Sequence, residues 1–281
     1  LPGTAGEVFK SEPCAKDGGK MQIGCTLLSP QDLDAAKETG FDYAEFMGKY
    51  LVSLSSSEYL ELQRAVKRSR LQVAGINGYC PETVKIAGPG FEPEIIRKYA
   101  CQCAQKAGGL GIRFAGIGSP RSRNLPKGYS RLTAVHQLKE FLKITAEEFE
   151  KYDIIVCLEP LAPCYCNFIN SIPEAVSIVE ELNLSNVGLV VDFYNMEYVN
   201  EADLNLKKYR SIIKHAHISD DDGTPSQRSY LKPEKEEIHR NRIRRLYENG
   251  YQGAISLEID CRIDAVRSAR SLEIMKSAKV R

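Results

Sequence analysis

Eight short apolar runs alternate with helix-like stretches along nearly the whole chain, and this alternation restricts the fold more than any other feature. The runs fall at 21–28, 41–47, 71–79, 111–117, 154–161, 187–192, 212–218 and 253–259. They are mostly apolar runs rather than strictly alternating ones, the pattern of parallel strands covered on both faces. Between them lie helix signals: Ser29-Pro30 as N-cap and first helical residue, and the capping-box spacings Ser55-x-x-Glu58 and Ser171-x-x-Glu174. Helices are expected at about 93–107, 131–152, 233–250 and 264–277, with a shorter one around 202–209. Eight strand-helix pairs close most naturally into a single (β/α)8 barrel, for which 281 residues is an ordinary length. An open doubly wound sheet is the alternative, but no Gly-x-Gly-x-x-Gly follows the first run. Residues 1–20 are rich in Gly, Pro and Lys without periodicity. They read as an irregular segment ahead of one domain over 21–281.

Charge and length narrow the function. A formal net charge of +1 argues against nucleic acid as a partner. No apolar run approaches the roughly 20 residues that cross a bilayer, so no membrane is expected either. Nine cysteines, none in CxxC spacing, read mostly as reduced thiols. That points to the cytoplasm. Export to a periplasmic space is the alternative, because the chain begins at Leu1 rather than Met.

Four runs end in a metal-binding side chain: IIVCLEP at Glu159, VGLVVDFYNM at Asp192, KHAHISDDD at His217 and AISLEID at Glu258. In such a barrel the active site lies at the C-terminal strand ends. Adjacent strands are about 4.8 Å apart, so four consecutive ends can surround one ion. Three oxygens and one nitrogen suit a divalent ion: Mn²⁺ first, then Mg²⁺ or Co²⁺, with Zn²⁺ also allowed. His215 shares the strand face of His217, one layer deeper. It reads as a supporting partner, a substrate contact or a core histidine. His136 and His239 have charged helical neighbours and read as surface residues. Asp220 orients His217 or a metal-bound water, or is a solvated loop carboxylate. An ion held in this way polarises a carbonyl, so that a proton on the adjacent carbon can leave. Glu159 and Glu258 are the candidates to remove and return it. Return to the opposite face is epimerisation; return to the neighbouring carbon is isomerisation.

With these residues in view, the chain resembles the xylose isomerase-like TIM barrels, in particular the sugar epimerase/isomerase branch that includes D-tagatose and D-psicose 3-epimerases. The pieces that carry the resemblance are GFDYAEF (40–46), GSPRSRNLPKG (118–128), LEPL (158–161) with NFINS (167–171), VVDFYNM (190–196), HAHISD (215–220) and SLEID (256–260). The resemblance implies metal ligands at Glu159, Asp192, His217 and Glu258, with Mn²⁺ common, and acid/base roles for Glu159 and Glu258. It sets Arg123 and Glu45 toward the substrate; a solvated basic loop and a surface carboxylate are the plainer readings of these two. It implies a sugar or polyol substrate and allows a homo-oligomer.

The departures fall on the substrate side. Asn195 stands where ketohexose epimerases carry a substrate-contacting His. Ala162-Pro163-Cys164 replace the usual Asn-Arg and Glu. The arginine expected shortly after the metal-binding His is missing, with none before Arg228. The leading reading is a metal-dependent sugar isomerase or epimerase. The alternatives are a lyase, a dehydratase or a C-glycoside-cleaving enzyme on the same scaffold, and a non-catalytic sugar-binding barrel.

Overall fold

The computed structural model describes residues 21–278; the segment 1–20 lies outside the described residues. Eight parallel strands close a barrel: β1 Ile23–Thr26, β2 Tyr43–Met47, β3 Gln72–Asn77, β4 Phe114–Ile117, β5 Ile155–Leu158, β6 Val187–Asp192, β7 Ile213–Ile218 and, last, β10 Ile255–Leu257. Neighbours in sequence are neighbours in the sheet, and β10 pairs with both β7 and β1. Strands β8 Asp220–Asp221 and β9 Arg228–Ser229 are not part of the barrel. They form a small antiparallel hairpin above it.

The helices are α1 Leu33–Thr39, α2 Gly48–Ser53, α3 Ser56–Ser69, α4 Pro93–Gly108, α5 Arg131–Glu150, α6 Ile172–Leu182, α7 Phe193–Tyr198, α8 Glu236–Glu248 and α9 Ala265–Lys276. Both capping boxes form, at Ser55/Glu58 and Ser171/Glu174. Two elements differ from expectation. Helix α2 follows β2 directly, and α7 starts at once after β6, with only a 3-10 turn left at Leu206–Tyr209. Asp192 explains α7: it is the N-cap, and its carboxylate accepts from the Tyr194 and Asn195 amides.

Most of the core lies between strands and helices. The barrel interior holds a second, smaller cluster of Tyr43, Ala74, Phe114, Cys157 and Val190, so the lower barrel is packed rather than open. Gly75 makes this possible, since a Cβ there would meet the Phe114 ring at 2.0 Å. The His215 ring stacks on Phe114, centroids 3.8 Å apart, and forms the roof of this layer. All eight cysteines among the described residues are free thiols. No helix among these residues is long and apolar enough to cross a membrane.

Candidate metal centre

Strand parity builds the site from below. His215 and His217 on β7 both point into the barrel, as do Tyr43 and Glu45 on β2. A register shift between Ala44 and Glu45 accompanies the placing of the Glu45 carboxylate beneath the strand ends. Glu45 is fully buried and sits between the two imidazoles. Its Oε1 lies 2.8 Å from His215 Nε2, and its Oε2 lies 3.1 Å from His217 Nε2. Ser256 Oγ also donates to Glu45, and Tyr43 Oη lies 2.6 Å from that same Oγ. With these partners the Glu45 carboxylate falls well below its usual range, although burial alone would raise it; His215 is the largest favourable influence, then His217. Burial pushes His215 down.

Above this layer, ligand atoms of Glu159, Asp192, His217 and Glu258 all lie within 4.8 Å of one another. They come from β5, β6, β7 and β10, four successive strands of the closed sheet. Glu159 and Glu258 therefore occupy the two ends of the arc, with Asp192 and His217 between them. Gly118 admits the Glu159 carboxylate, because a Cβ there would come within 2.6 Å of Oε2. The Asn195 amide nitrogen donates to Glu159 Oε1 and to Asp192 Oδ2, both at 3.0 Å. Its carbonyl accepts from the Ala162 amide at 3.0 Å. Asn77 donates to Glu258 at 3.1 Å.

The arrangement suits a divalent cation. Glu45 occupies His217 Nε2, which leaves Nδ1 facing the carboxylates, 3.5 Å from Glu258 Oε2 and without a hydrogen bond. A buried ring nitrogen turned toward three carboxylates, with its other nitrogen on a fourth, has the form of a metal-binding histidine with its outer partner. Electrostatics point the same way. Burial raises Glu159 well above the carboxylate range, and Glu258 and Asp192 raise it further. Glu258 rises for the same first reason. Asp192 is held below its usual value despite burial, because Arg228 sits against it. Burial would lower His217, but Glu258, then Glu45 and Glu159, carry it up to about 10. The carboxylates around this one imidazole are the source of that rise.

Arg228 corrects the sequence reading. From β9 its guanidinium turns back into the site, 2.6 Å from Asp192 Oδ2 and 3.0 Å from Glu258 Oε2. It stands near the rings of Tyr194 and Tyr165, 4.9 and 5.5 Å from their centroids. The Asp260 carboxylate accepts from its backbone amide, and Asp260 N donates to its carbonyl. An arginine at this place is therefore present. The longer loop hid it, because the hairpin folds the intervening residues away from the pocket.

Other expected residues separate in space. Arg123 is not a solvated charge: although its loop is largely exposed, its side chain is fully buried and donates to the Glu159 carbonyl at 2.6 Å. Glu45 is likewise no surface group. His239, read as a surface residue, is fully buried against Asp220, 2.7 Å away. Asp220 neither orients His217 nor faces solvent. It holds His239, the Lys232 amide and Lys235 under the hairpin. His136 is exposed, as expected.

The description "Xylose isomerase-like TIM barrel" matches residues 33–278. The chain belongs to the xylose isomerase-like TIM barrel family. Within that family, a 3-dehydro-D-guloside 4-epimerase of Escherichia coli is 26% identical over 201 residues, 66% of this chain and 71% of the relative. The crystal structure of an E. coli 3-keto-D-glucoside 4-epimerase superposes with a TM-score of 0.71 at 22% identity, covering 92% of this chain and 100% of that one. A D-allulose 3-epimerase from Methylomonas sp., solved with D-allulose, reaches 0.72 at 15% identity, covering 93% and 98%. At these identities the two structures attest the xylose isomerase-like fold, and the site rests on the residues above.

Proposed function

We propose that this chain is a divalent-metal-dependent sugar epimerase or isomerase that moves a proton at a carbon next to a carbonyl. The observation that carries the reading is the four-residue arc, with two carboxylates at its ends; burial raises both above their usual values. Glu159, Asp192, Glu258 and His217 Nδ1 would hold the ion, Mn²⁺ by preference among Mg²⁺, Co²⁺ and Zn²⁺. When bound, such an ion polarises the substrate carbonyl and stabilises negative charge on its oxygen.

The chain's own residues do the remaining work. One terminal carboxylate accepts the proton from carbon, and the other, carrying a proton, returns it. If the sugar lies between Glu159 and Glu258, removal and return occur on opposite faces, which is epimerisation. Asn195 steadies Glu159 and Asp192 together, and Glu45 fixes the His217 ring so that Nδ1 faces inward. Arg228 is suited to hold a substrate oxygen beside the ion. The three carboxylates and Arg228 together carry two negative charges at neutral pH when all are ionised, which one divalent ion balances. That balance favours an uncharged sugar over a phosphorylated one. Among uncharged sugars a keto-glycoside is favoured, since the 26%-identical relative is named for a 3-dehydro-glycoside.

Deuterium wash-in tests the reading. The protein is stripped, reloaded with Mn²⁺ and incubated in D₂O with a panel of ketoses and 3-keto-glycosides. Metal-dependent exchange at one carbon beside the carbonyl is expected. No exchange across the panel, with the ion bound stoichiometrically, would overturn it.

A further inference from the structure

Tyr165 stands in the 162–166 turn after β5, where the chain departs from the ketohexose epimerases. The turn is held in place. The Tyr165 amide donates to the Ala162 carbonyl at 2.9 Å. Ala162 in turn is held by Asn195, and the Asn170 side chain donates to the Cys166 carbonyl at 2.9 Å. The Tyr165 ring therefore stands on a fixed base. Its face looks onto the Arg228 guanidinium at 5.5 Å, and that guanidinium is itself paired to Asp192 and Glu258. Tyr165 is thus part of the wall of the carboxylate site.

Its hydroxyl is buried and has no hydrogen-bond partner among the described residues. Buried hydroxyls nearly always have a partner, and one left over beside a ligand site is available to a ligand. We propose that the Tyr165 hydroxyl contacts a neutral hydroxyl of the sugar and helps set which sugar is accepted. The proposal rests on the sugar-enzyme reading above.

The chemistry of the phenol selects the partner. Burial raises it above its usual value; nearby Arg228 lowers it, and Glu258 and Asp192 add to the rise. It therefore remains a neutral O–H across the physiological range. It adds no charge to a site whose charges one divalent ion balances. A phenol can donate and accept, which matches a sugar hydroxyl. Its ring offers an apolar face for the sugar's C–H side.

The test compares wild type with Tyr165→Phe, which removes only the oxygen. Both are loaded with Mn²⁺, and metal content and melting temperature are measured. Affinity for methyl β-D-glucopyranoside, an uncharged glycoside without a carbonyl, is read by calorimetry. KM and kcat are read on the sugar that exchanges. Equal metal content, about tenfold weaker glycoside binding, and a similar rise in KM with kcat within about threefold are expected. One monodeoxy glycoside should bind both proteins alike. Unchanged affinity and KM in the variant would overturn the proposal while leaving the function intact. A tenfold loss of affinity in a protein that never exchanges deuterium would support Tyr165 as a sugar contact and count against the catalytic reading alone.

Discussion

Two buried carboxylate–histidine clusters share one residue, His217, yet behave in opposite ways. In the lower one, a single carboxylate, Glu45, is surrounded by His215, His217 and Ser256 and sits well below its usual pKa range. In the upper one, three carboxylates crowd one imidazole nitrogen and one guanidinium, and Glu159 and Glu258 are pushed up. Both clusters place ligand atoms close enough for an ion. The difference is one of charge and satisfaction. In the lower cluster the single carboxylate has its partners in His215, His217 and Ser256. The upper has more negative charge than its neighbours supply, so an ion has something to neutralise.

The largest expected effect lies in the upper cluster. Glu159→Gln or Glu258→Gln keeps shape and removes the proton acceptor. Deuterium exchange should fall by about 10²–10⁴-fold; a variant retaining a tenth of wild-type exchange would remove that residue from proton transfer.

Next comes the shared histidine against its partner. His217→Ala should abolish stoichiometric metal, whereas Glu45→Gln should weaken metal binding by only about 10–100-fold, the scale of outer partners. Metal titration followed by mass spectrometry distinguishes them. If Glu45→Gln lost the ion as completely as His217→Ala, the lower cluster would itself be a site for the ion and the contrast would fail.

The smallest effect on the ion is expected away from both clusters, at Asp220. It lies under the hairpin with His239 and Lys235. Asp220→Asn should leave metal affinity unchanged and lower stability by about 2–3 kcal/mol at pH 7. Burial raises the Asp220 carboxylate, but His239 and the other donors hold it below its usual value. Its contribution is thus present above the unfolded value of about 3.9 and is lost as pH falls through the lower folded value. Denaturant unfolding from pH 7 down to pH 3 should show wild type and variant converging only below about pH 4. A gap that persisted unchanged at pH 3 would mean that the carboxylate charge is not what stabilises the hairpin.

Much of this was legible in residue order. The barrel follows from eight apolar runs whose caps are local: Ser55 with Glu58, and Ser171 with Glu174. That Glu159, Asp192, His217 and Glu258 gather at one end of the barrel follows from strand ends, and the depth of His215 follows from period-two alternation. What stayed hidden depends on contacts between distant parts of the chain. Glu45 reads equally well as a surface carboxylate until it is seen buried against histidines 170 and 172 residues away. His239 has the neighbours of an exposed helical residue, and its burial is decided by Asp220 across the loop.

Arg228 and Tyr165 carry the sharpest division. Residue order determines that an alternating chain of this length makes a closed parallel barrel, because strand and helix preferences and helix caps are settled within a few residues, and each strand-helix-strand crossover lays consecutive strands side by side. It also sets which side chains stand at the strand ends. Which groups fill the space above those ends is a matter of tertiary structure. The β8–β9 hairpin returns Arg228 to Asp192 and Glu258, and the turn after β5 sets Tyr165 beside it. No local rule encodes either approach. A guanidinium finds its carboxylates, and a phenol its wall, only once the backbone between them has folded back.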